Sequence, residues 1–427
     1  LAVIQCKTVN GFSKGASYKA GQAISWDSDH TWNMVYLEGR WHLLDTTWGA
    51  GHVDESISKF TFQYNEFYFL THPALFIGEH YPEQADCQLL DPKVTRIDFQ
   101  EIVHHKSHFY NLGLISSQPG AAVIETDKGK VSITIESRHK MLYIFSLNET
   151  EDQGLLRLME HEARIDVYPS KTGQQIIQIY AKRQDLEEAY QLVMDYRIDC
   201  KTVDNKMKIP KCLHNPAGPS WLSEMSGLLH PSHPGPTIHT EDGCCIVSFA
   251  LMRDLSIFPT LHSDDVKMMP EMEHRHIFQT KTQGNVQIKV RLPQSGTYVL
   301  HVNIMPKNSN MYKHQCNYLI TCTNTAVKWP VFPLVYTDWS ESYELVQPLE
   351  GILSKDSDVF FKLQIPDVAG VCVKGKDSFP LDLNESGYWE GTCSTANCKY
   401  MYVSIRSKDN PDTRTFILQY HIGDRTQ

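Results

Sequence analysis

Apolar and polar residues alternate in short segments over most of the chain beyond residue 100, and turns rich in glycine and proline separate these segments. Alternation with a period of two is typical of strands that bury one face, and few segments show the 3.6-residue period of an amphipathic helix. The pattern predicts β-sandwich modules of roughly 100 residues each. No apolar stretch approaches the roughly 18 residues that indicate a membrane-spanning helix.

The same signals recur along this part of the chain in the same order. Each copy closes with a Tyr-x-Ile strand. In the first two copies a Pro-Gly pair comes before it, followed by a turn that contains an acidic residue and ends in glycine. These signals lie at 119–120, 127–129 and 196–198 in the first copy, at 234–235, 241–243 and 318–320 in the second, and at 420–422 in the third. In the third copy we align Leu381-Asp382-Leu383, before Gly387, with an alternating strand of the other two copies.

Three such modules and an N-terminal segment rich in aromatic residues account for the 427 residues of the chain. We predict domains at 1–97, which we name the head, and at 98–208, 209–326 and 327–427, which we name the three sandwich modules. The predicted fold class is α+β in the head, followed by an all-β tail of immunoglobulin-like sandwiches.

The head contains a hairpin signal at Glu38-Gly39, a two-residue turn between alternating, aromatic-rich strands. Pairing outward from this turn places Trp32 opposite Asp45. Directly opposed and alternate residues share a face of a sheet, so His30 and Asp45 become diagonal neighbours on one face. His42 lies on the other face. The pattern therefore predicts contact between the His30 imidazole and the Asp45 carboxyl group.

Such a contact has a chemical use. A carboxylate that is hydrogen-bonded to one imidazole nitrogen fixes the tautomer and leaves the other nitrogen free to take a proton from a nucleophile. His30 and Asp45 are therefore candidates for a catalytic base and the residue that orients it. The alternative from the residues alone is a histidine and an aspartate that only stabilise a hairpin.

The sequence around these residues resembles the His and Asp blocks of the transglutaminase-like superfamily, in which His-x-Trp-Asn, a hairpin and Asp-x-Thr-Trp-Gly follow each other. Further segments resemble its kyphoscoliosis peptidase and hillarin branch over the length of the chain. They are Phe67–Pro73 and Gly218–Trp221, while Val9–Gly15 resembles the strand that follows the cysteine helix in the superfamily. The resemblance implies that the head is the C-terminal part of a papain-like transglutaminase core, with His30 as the general base and Asp45 as its orienting residue. It also implies acyl transfer through a cysteine thioester.

The nucleophilic cysteine of that superfamily begins a helix ahead of the first strand, where the helix N-terminus can lower the pKa of a thiol. We expect that segment before Leu1, and we therefore expect the chain to be an N-terminally truncated, inactive fragment. Cys6 lies in an alternating run from Ala2 to Val9. We interpret it as a small buried strand residue and not as a substitute nucleophile.

The charge and the cysteine content indicate which classes of partner and cofactor are disfavoured. The net charge of −10 and the lack of long basic runs disfavour nucleic acid and anionic membranes as partners. The 11 cysteines contain no C-x-x-C pair, and we expect free thiols in a cytoplasmic protein. Histidines 104, 105 and 108 are interpreted as loop residues without ligand partners. We predict neither a metal nor another cofactor.

Three functions stay open at this point. The first is a transglutaminase-like cysteine peptidase or acyl transferase that acts on amides of a protein substrate. The second is an inactive cytoskeletal scaffold that binds partners through its sandwich modules; the resemblance implies filamin-type or septin-type proteins and a cytoskeleton-associated location. The third is a secreted adhesion array, which predicts disulfides among the cysteines.

Overall fold

The structure is a computed structural model. It describes residues 4–15, 17–53, 59–148, 150–151, 154–252, 255–268, 272, 274–282, 284–306, 310–409 and 412–423. The chain divides into two compact units, Leu1–Ile209 and Pro210–Gln427, which are described separately. None of the helices in these described ranges has the length and hydrophobicity that a membrane crossing requires.

The head is built on a four-stranded antiparallel sheet that begins the first unit. Its strands in chain order are β1 (Gln5–Ser13), β2 (His30–Leu37), β3 (Arg40–Leu44) and β6 (His80–Pro82). They lie in the order β3-β2-β1-β6. Ala2 and Val3, which belong to the predicted first strand, lie outside the described residues.

Short helices and a two-stranded ribbon connect β3 to the rest of the unit. The ribbon consists of β4 (Gly51–Val53) and β5 (Phe60–Phe62), and the α-helices are α1 (Thr46–Ala50), α2 (Pro73–Phe76), α3 (Arg96–Glu101) and α4 (Ser107–Asn111). Two 3-10 turns span Glu66–Tyr68 and Ala85–Gln88.

The hairpin of β2 and β3 forms in the predicted register. Met34 pairs with Leu43, and Leu37 pairs with Arg40. Glu38 and Gly39 both have positive φ angles, of 51° and 81°, as a type I′ turn requires. Trp32, Met34 and Leu43 are buried in one apolar cluster with side chains of the segments that follow β3. The turn and the buried face thus both fix the register.

One predicted pair of this hairpin is wrong. Asp45 does not pair with Trp32, because β3 ends at Leu44 and the chain turns into α1. Aspartate accepts hydrogen bonds from the first free amide groups of a helix, and this capping competes with continued strand pairing. Asp45 therefore lies at a strand-to-helix junction and not on the sheet.

The first sandwich completes the first unit with two sheets that bury alternate side chains. The four-stranded sheet contains, in order, Gly154–Leu158, Glu162–Val167, Val131–Ser137 and Leu114–Gln118. The six-stranded sheet contains Thr150–Glu151, Met141–Leu147, Gly173–Arg183, Gln191–Cys200 and His104–His105, and Val123–Thr126 pairs in parallel with Gln191–Cys200.

The second sandwich begins the second unit, and one buried apolar cluster joins its two sheets. One sheet contains, in order, Leu228–Leu229, Cys244–Leu251, Asn285–Arg291 and Ile277–Thr282. The other contains Thr237–His239, Lys313–Cys322, Gly296–Pro306 and Leu255–His262. A short helix spans Trp221–Met225, and a 3-10 turn spans His274–His276.

The third sandwich has the same two-sheet arrangement around its own buried cluster. One sheet contains, in order, Leu334–Val335, Arg414–Ile422, Tyr400–Ser407, Val368–Lys374 and Ser378–Pro380, and Ile352–Leu353 pairs in parallel with Arg414–Ile422. The other contains Glu344–Gln347, Asp358–Gln364, Tyr388–Ser394 and Asp382–Leu383.

The tyrosine of each predicted Tyr-x-Ile signal has the same role in all three sandwiches. Tyr196, Tyr318 and Tyr420 are fully buried. Their hydroxyl groups donate to backbone carbonyls at Pro119, His233 and Pro348, over 3.0, 3.0 and 3.1 Å. Each carbonyl lies shortly before the strand that pairs in parallel with the tyrosine strand. In each sandwich this hydrogen bond thus attaches the segment before the parallel strand to the buried core.

The order of strands in the sheets shows that one part of the predicted repeat alignment is wrong. In the third sandwich, Tyr388–Ser394 occupies the place that Glu162–Val167 and Asn285–Arg291 occupy in the first two. We aligned Leu381-Asp382-Leu383 with those strands. Its last two residues instead form the edge strand that pairs with Tyr388–Ser394. The alternating pattern of three residues is too short to separate one strand from its neighbour. The domain limits given above stay a prediction.

Candidate active site

Asp45 is the N-cap of α1 and is almost fully buried, with 1% of the residue exposed. Its Oδ1 atom accepts hydrogen bonds from the backbone N–H groups of Thr47 and Trp48, at 2.8 and 3.0 Å. These bonds satisfy two of the amide groups that a helix start leaves without partners. They also hold the carboxyl group in place and leave Oδ2 for other donors.

His30 is the first residue of β2, and its Nε2 atom lies 2.6 Å from Asp45 Oδ2. A carboxylate only accepts hydrogen bonds, so Nε2 carries the proton and Nδ1 keeps the lone pair. The side chain is 14% exposed, so it lies at the edge of the core. The structure therefore brings the two predicted residues together, although by a helix cap and not by strand pairing. Their catalytic role stays a prediction.

His80 is a second imidazole on the same carboxyl group, and sequence reasoning missed it. Its Nε2 atom lies 2.9 Å from Asp45 Oδ2, and its side chain is fully buried. In the sheet, Gly11 of β1 pairs with His30, and Ser13 of β1 pairs with His80. Alternate residues of β1 share a face, so β1 brings the two histidines to the same side. Only the long-range pairing of β1 with β6 reveals this neighbour.

Gly11 allows this close approach across β1. A Cβ atom at this position would collide with the Trp32 ring and with the backbone oxygen of Tyr81. The sheet therefore tolerates no side chain between the two histidine-bearing strands at this point.

Aromatic rings enclose the two imidazoles. The Trp48 ring centroid lies 4.7 Å from that of His30, nearly parallel to it, and also 4.7 Å from that of His80. The Phe76 ring stacks on the His80 imidazole, with a centroid separation of 4.0 Å. Because the rings are large and rigid, they restrict rotation of both imidazoles and exclude water from Asp45.

These surroundings set the charges of the site. Burial disfavours ionisation of Asp45, but the hydrogen bonds from His30, His80 and the Trp48 amide outweigh it and hold the pKa of Asp45 well below its usual range. Burial lowers the pKa of His80, against the pull of Asp45. The site at neutral pH is thus a carboxylate with a neutral second imidazole.

Nitrogen and oxygen atoms of His30, Asp45 and His80 all lie within 4.8 Å of one another, and such a set could hold a metal ion. Two ligands of a tetrahedral zinc ion are roughly 3.3 Å apart, given Zn–N and Zn–O distances near 2.0–2.1 Å. The His30–Asp45 separation of 2.6 Å is shorter and is typical of a charge-assisted hydrogen bond. The arrangement is therefore better suited to proton transfer than to a cation.

A second buried polar cluster adjoins the site through Glu79, the residue before His80. The Tyr68 hydroxyl donates to Glu79 Oε2 at 2.8 Å, and His104 Nε2 lies 2.9 Å from Glu79 Oε1. The Tyr68 ring packs edge-on against Trp48, with centroids 5.6 Å apart. Burial raises the pKa of Glu79 to about 7, and it lowers the pKa of Lys14 in the same cluster to about 8.

This cluster corrects the interpretation of histidines 104, 105 and 108 as loop residues. His104 and His105 form a short strand, and His108 lies in α4. His104 is buried, and burial lowers its pKa well below the usual range. It therefore contacts Glu79 as a neutral donor, and it links the head to the strand Gln191–Cys200 of the first sandwich.

The head contains two cysteines, Cys6 and Cys87, that can be compared with the nucleophile that the resemblance implies. Cys6 pairs with Val35 and lies on the face opposite to His30, about 16 Å away along β1. Cys6 is exposed and not buried as expected, because β6 covers only the end of β1. Burial raises the pKa of the Cys87 thiol. In the described ranges no hydrogen bond joins either sulfur to His30. All eleven cysteines of the chain are free thiols.

Comparisons with known proteins bear on the family. The family model for a KY-like, immunoglobulin-like domain matches residues 97–211 and 225–333, which is more than half of the chain. Kyphoscoliosis peptidase from Homo sapiens is 44% identical over 424 residues, which cover 99% of this chain and 64% of the human protein. The chain thus spans less than two thirds of that relative.

Two more distant relatives share shorter regions. The Lim and transglutaminase domain protein ltd-1 from Caenorhabditis elegans is 25% identical over 374 residues, which cover 76% of this chain and 50% of that protein. Hillarin from Drosophila melanogaster is 24% identical over 341 residues, which cover 70% of this chain and 41% of that protein. The predicted mostly β chain with immunoglobulin-like domains is confirmed, and the papain-like nature of the head stays a prediction. With these matches, the chain belongs to the kyphoscoliosis peptidase and hillarin branch of the transglutaminase-like superfamily.

Proposed function

We propose that the head supplies the base and the orienting residue of a transglutaminase-like cysteine peptidase or acyl transferase that acts on protein amides. The observation that carries the proposal is the 2.6 Å contact between His30 Nε2 and Asp45 Oδ2. It leaves Nδ1 of a partly exposed imidazole as a proton acceptor. The names of the human and C. elegans relatives, a peptidase and a transglutaminase domain protein, support the same class.

The chemistry follows from the geometry. A cysteine thiol facing Nδ1 gives its proton to His30, and the thiolate attacks the carbonyl carbon of an amide. The imidazolium then returns the proton to the leaving nitrogen as the C–N bond breaks, and a thioester remains. Water or an amine attacks the thioester and releases an acid or a new amide. Asp45 stabilises the imidazolium in both steps.

This mechanism needs a cysteine that neither Cys6 nor Cys87 provides. We propose that it lies in the part of the protein that the relatives have beyond the region matched by this chain. A thiol at a helix N-terminus there would have the lowered pKa that the reaction requires.

The experiment uses the longer protein and a fluorescent probe with an acylating, thiol-reactive group. We expect the His30→Ala variant to acylate at least about 100-fold more slowly than the parent, which is the usual contribution of a general base. His42→Ala is the matched control, because His42 lies in the same hairpin on the opposite face. Equal labelling of the two variants would show that His30 does not activate the nucleophile.

A second candidate function is a cytoskeletal scaffold in the cytoplasm, and the three sandwiches in the described residues favour it. Immunoglobulin-like modules often bind proteins through exposed strands and loops. Titration of a purified filamin-type or septin-type protein tests this idea. The scaffold function predicts the same affinity for the His30→Ala variant as for the parent. A loss of affinity in that variant would assign binding to the head and not to the sandwich modules.

A further inference from the structure

Three histidines of the second sandwich form a nearly equilateral triangle on the outer face of one sheet. The ring centroids of His214 and His301 are 5.2 Å apart, those of His301 and His314 are 5.3 Å apart, and those of His214 and His314 are 5.5 Å apart. Imidazole nitrogens bind zinc at about 2.0–2.1 Å, which places the centroids of tetrahedral imidazole ligands about 5.2 Å apart. The triangle has the size of a three-histidine metal site.

A β-bulge places His314 on this face. The strands Gly296–Pro306 and Lys313–Cys322 pair regularly up to Val302 and Cys316, and the next pair is Asn303 with His314. Without the extra residue, His314 would pair with Ile304 and lie on the buried face. With it, His314 shares the outer face of Asn303 and therefore of His301, which is two residues away.

Asn317 holds the third histidine in place. Asn317 is fully buried and pairs with His301 across the strands. Its side chain accepts a hydrogen bond from the backbone N–H of His214 at 3.3 Å, and it donates to the backbone oxygens of His214 and Pro216 at 2.7 and 3.1 Å. The segment that carries His214 is thereby fixed over the sheet beside the other two rings.

Hydrogen bonds at two of the three imidazoles show which nitrogen keeps a lone pair for a metal. His301 Nε2 donates to the backbone oxygen of Cys212 at 2.8 Å, which leaves Nδ1 with its lone pair. Asn317 Nδ2 donates to His314 Nε2 at 3.3 Å, so Nε2 is the nitrogen of His314 that carries a lone pair. Coordination through this atom exchanges the Asn317 contact for the metal ion.

We propose that His214, His301 and His314 bind a divalent first-row transition metal ion, of which Zn²⁺ is the model, with a fourth position open to water. His214 and His314 are exposed, so the ion can reach the site from solvent. In the described ranges their nitrogens do not converge within 4.8 Å as those of the active-site cluster do. Binding therefore includes a rotation of at least one ring. The bound ion fastens the segment that carries His214 to the sheet.

The spacing of the three histidines along the chain conceals this site. The ligands lie 87 and 13 residues apart along the chain, so they form none of the paired spacings by which zinc motifs are found. Only the bulge and the Asn317 contacts bring them together.

The test is a titration of chelator-treated protein with ZnCl₂ against a competing chromophoric chelator. We expect the parent to bind one equivalent of Zn²⁺ with at least tenfold higher affinity than the His301→Gln/His314→Gln variant. His239→Gln/His274→Gln is the matched control, because it removes two exposed histidines of the same sandwich outside the triangle. The Asp45→Asn variant shows whether Zn²⁺ binds at the histidine triangle or at the His30, Asp45 and His80 cluster. We expect this variant to bind one equivalent of Zn²⁺, as the parent does.

A second measurement needs no variant and so does not depend on folding. Diethylpyrocarbonate modifies accessible histidines, and we expect Zn²⁺ to protect His214 and His314 but not His239 in the parent protein. X-ray absorption of the bound ion should show a shell of nitrogen and oxygen atoms only. Equal protection of all three histidines, a sulfur ligand, or an equivalent that disappears only with Asp45→Asn would each overturn the proposal.

Discussion

The Asp45→Ala variant is expected to lose about 4 kcal/mol of the free energy of unfolding of the head, whereas Asp45→Asn is expected to lose only about 1 kcal/mol. Alanine removes the N-cap of α1, which alone contributes roughly 0.5–2 kcal/mol. It also leaves the N–H groups of His30 and His80 without an acceptor, and each such buried group costs roughly 1–3 kcal/mol.

The asparagine variant separates the contribution of Asp45 to stability from its proposed contribution to the tautomer of His30. Its oxygen can still accept the Thr47 and Trp48 amide protons, and its NH₂ group can donate to both imidazoles after each shifts its proton to the other nitrogen. The fold then keeps its hydrogen bonds, while His30 presents the wrong tautomer for a base. Asp45→Asn should thus remain folded and lose the acylation of the longer protein.

Hydrogen exchange of the amide protons in β2 and β3 measures the change in the head. Peptides from the third sandwich serve as an internal control, since the substitution lies in the other compact unit. Because the pKa of Asp45 is held below its usual range, its contribution is complete above roughly pH 4 and disappears as the pH falls further. Equal destabilisation by alanine and asparagine would show that asparagine does not retain these hydrogen bonds, and a loss below about 1 kcal/mol in alanine would show that the bonds contribute little.

The sequence could predict the hairpin because its determinants are local. The turn at Glu38-Gly39 needs two residues that accept positive φ angles, and the apolar residues that alternate on either side fix the register. The same locality explains why the recurring Tyr-x-Ile signals predict the sandwich strands. A buried tyrosine whose hydroxyl reaches a fixed carbonyl imposes the same short pattern on each copy.

The rest of the site depends on contacts that no local pattern contains. His80 reaches Asp45 only because β6 pairs with the end of β1, and this pairing joins segments about 70 residues apart. Cys6 follows the strand pattern of a buried residue, but β6 is too short to cover it. The predicted contact between His30 and Asp45 exists, but strand pairing does not produce it. Helix capping by Asp45 ends β3 one residue earlier, at Leu44.

Tyr68 contacts both the buried Glu79 and the residues around Asp45. Tyr68 donates to Glu79 through its hydroxyl group, and its ring contacts Trp48 and His80. Its backbone oxygen accepts the amide proton of Asp45 at 2.9 Å. Tyr68 thus contacts both Asp45 and Glu79, and the cost that ionisation of the buried Glu79 imposes on the stability of the head can be measured.

The Glu79→Gln variant is expected to stabilise the head by about 3 kcal/mol at pH 8 and by less than about 1 kcal/mol at pH 5. Burial raises the pKa of Glu79 from 4.5 to about 7 in the folded protein. The folded state therefore binds more protons than the unfolded state between these values, and stability falls as the pH rises through this window. Glutamine has the same shape and cannot ionise, so the variant does not lose that stability. Its oxygen accepts from His104 and its NH₂ group donates to the Tyr68 hydroxyl oxygen, which reverses the bond that Tyr68 makes to Glu79.

Hydrogen exchange of β1 and β6 amide protons, compared between variant and parent at the same pH, removes the intrinsic pH dependence of exchange from the measurement. Glu101→Gln is the matched control, because Glu101 is an exposed glutamate at the end of α3 in the same compact unit. Lys14 is part of the same cluster, and burial lowers its pKa to about 8, so measurements above pH 8 would mix its titration with that of Glu79. A difference between Glu79→Gln and the parent that stays constant from pH 5 to pH 8 would mean that Glu79 titrates normally, and the buried cluster would then impose no cost on the carboxylate beside the active site.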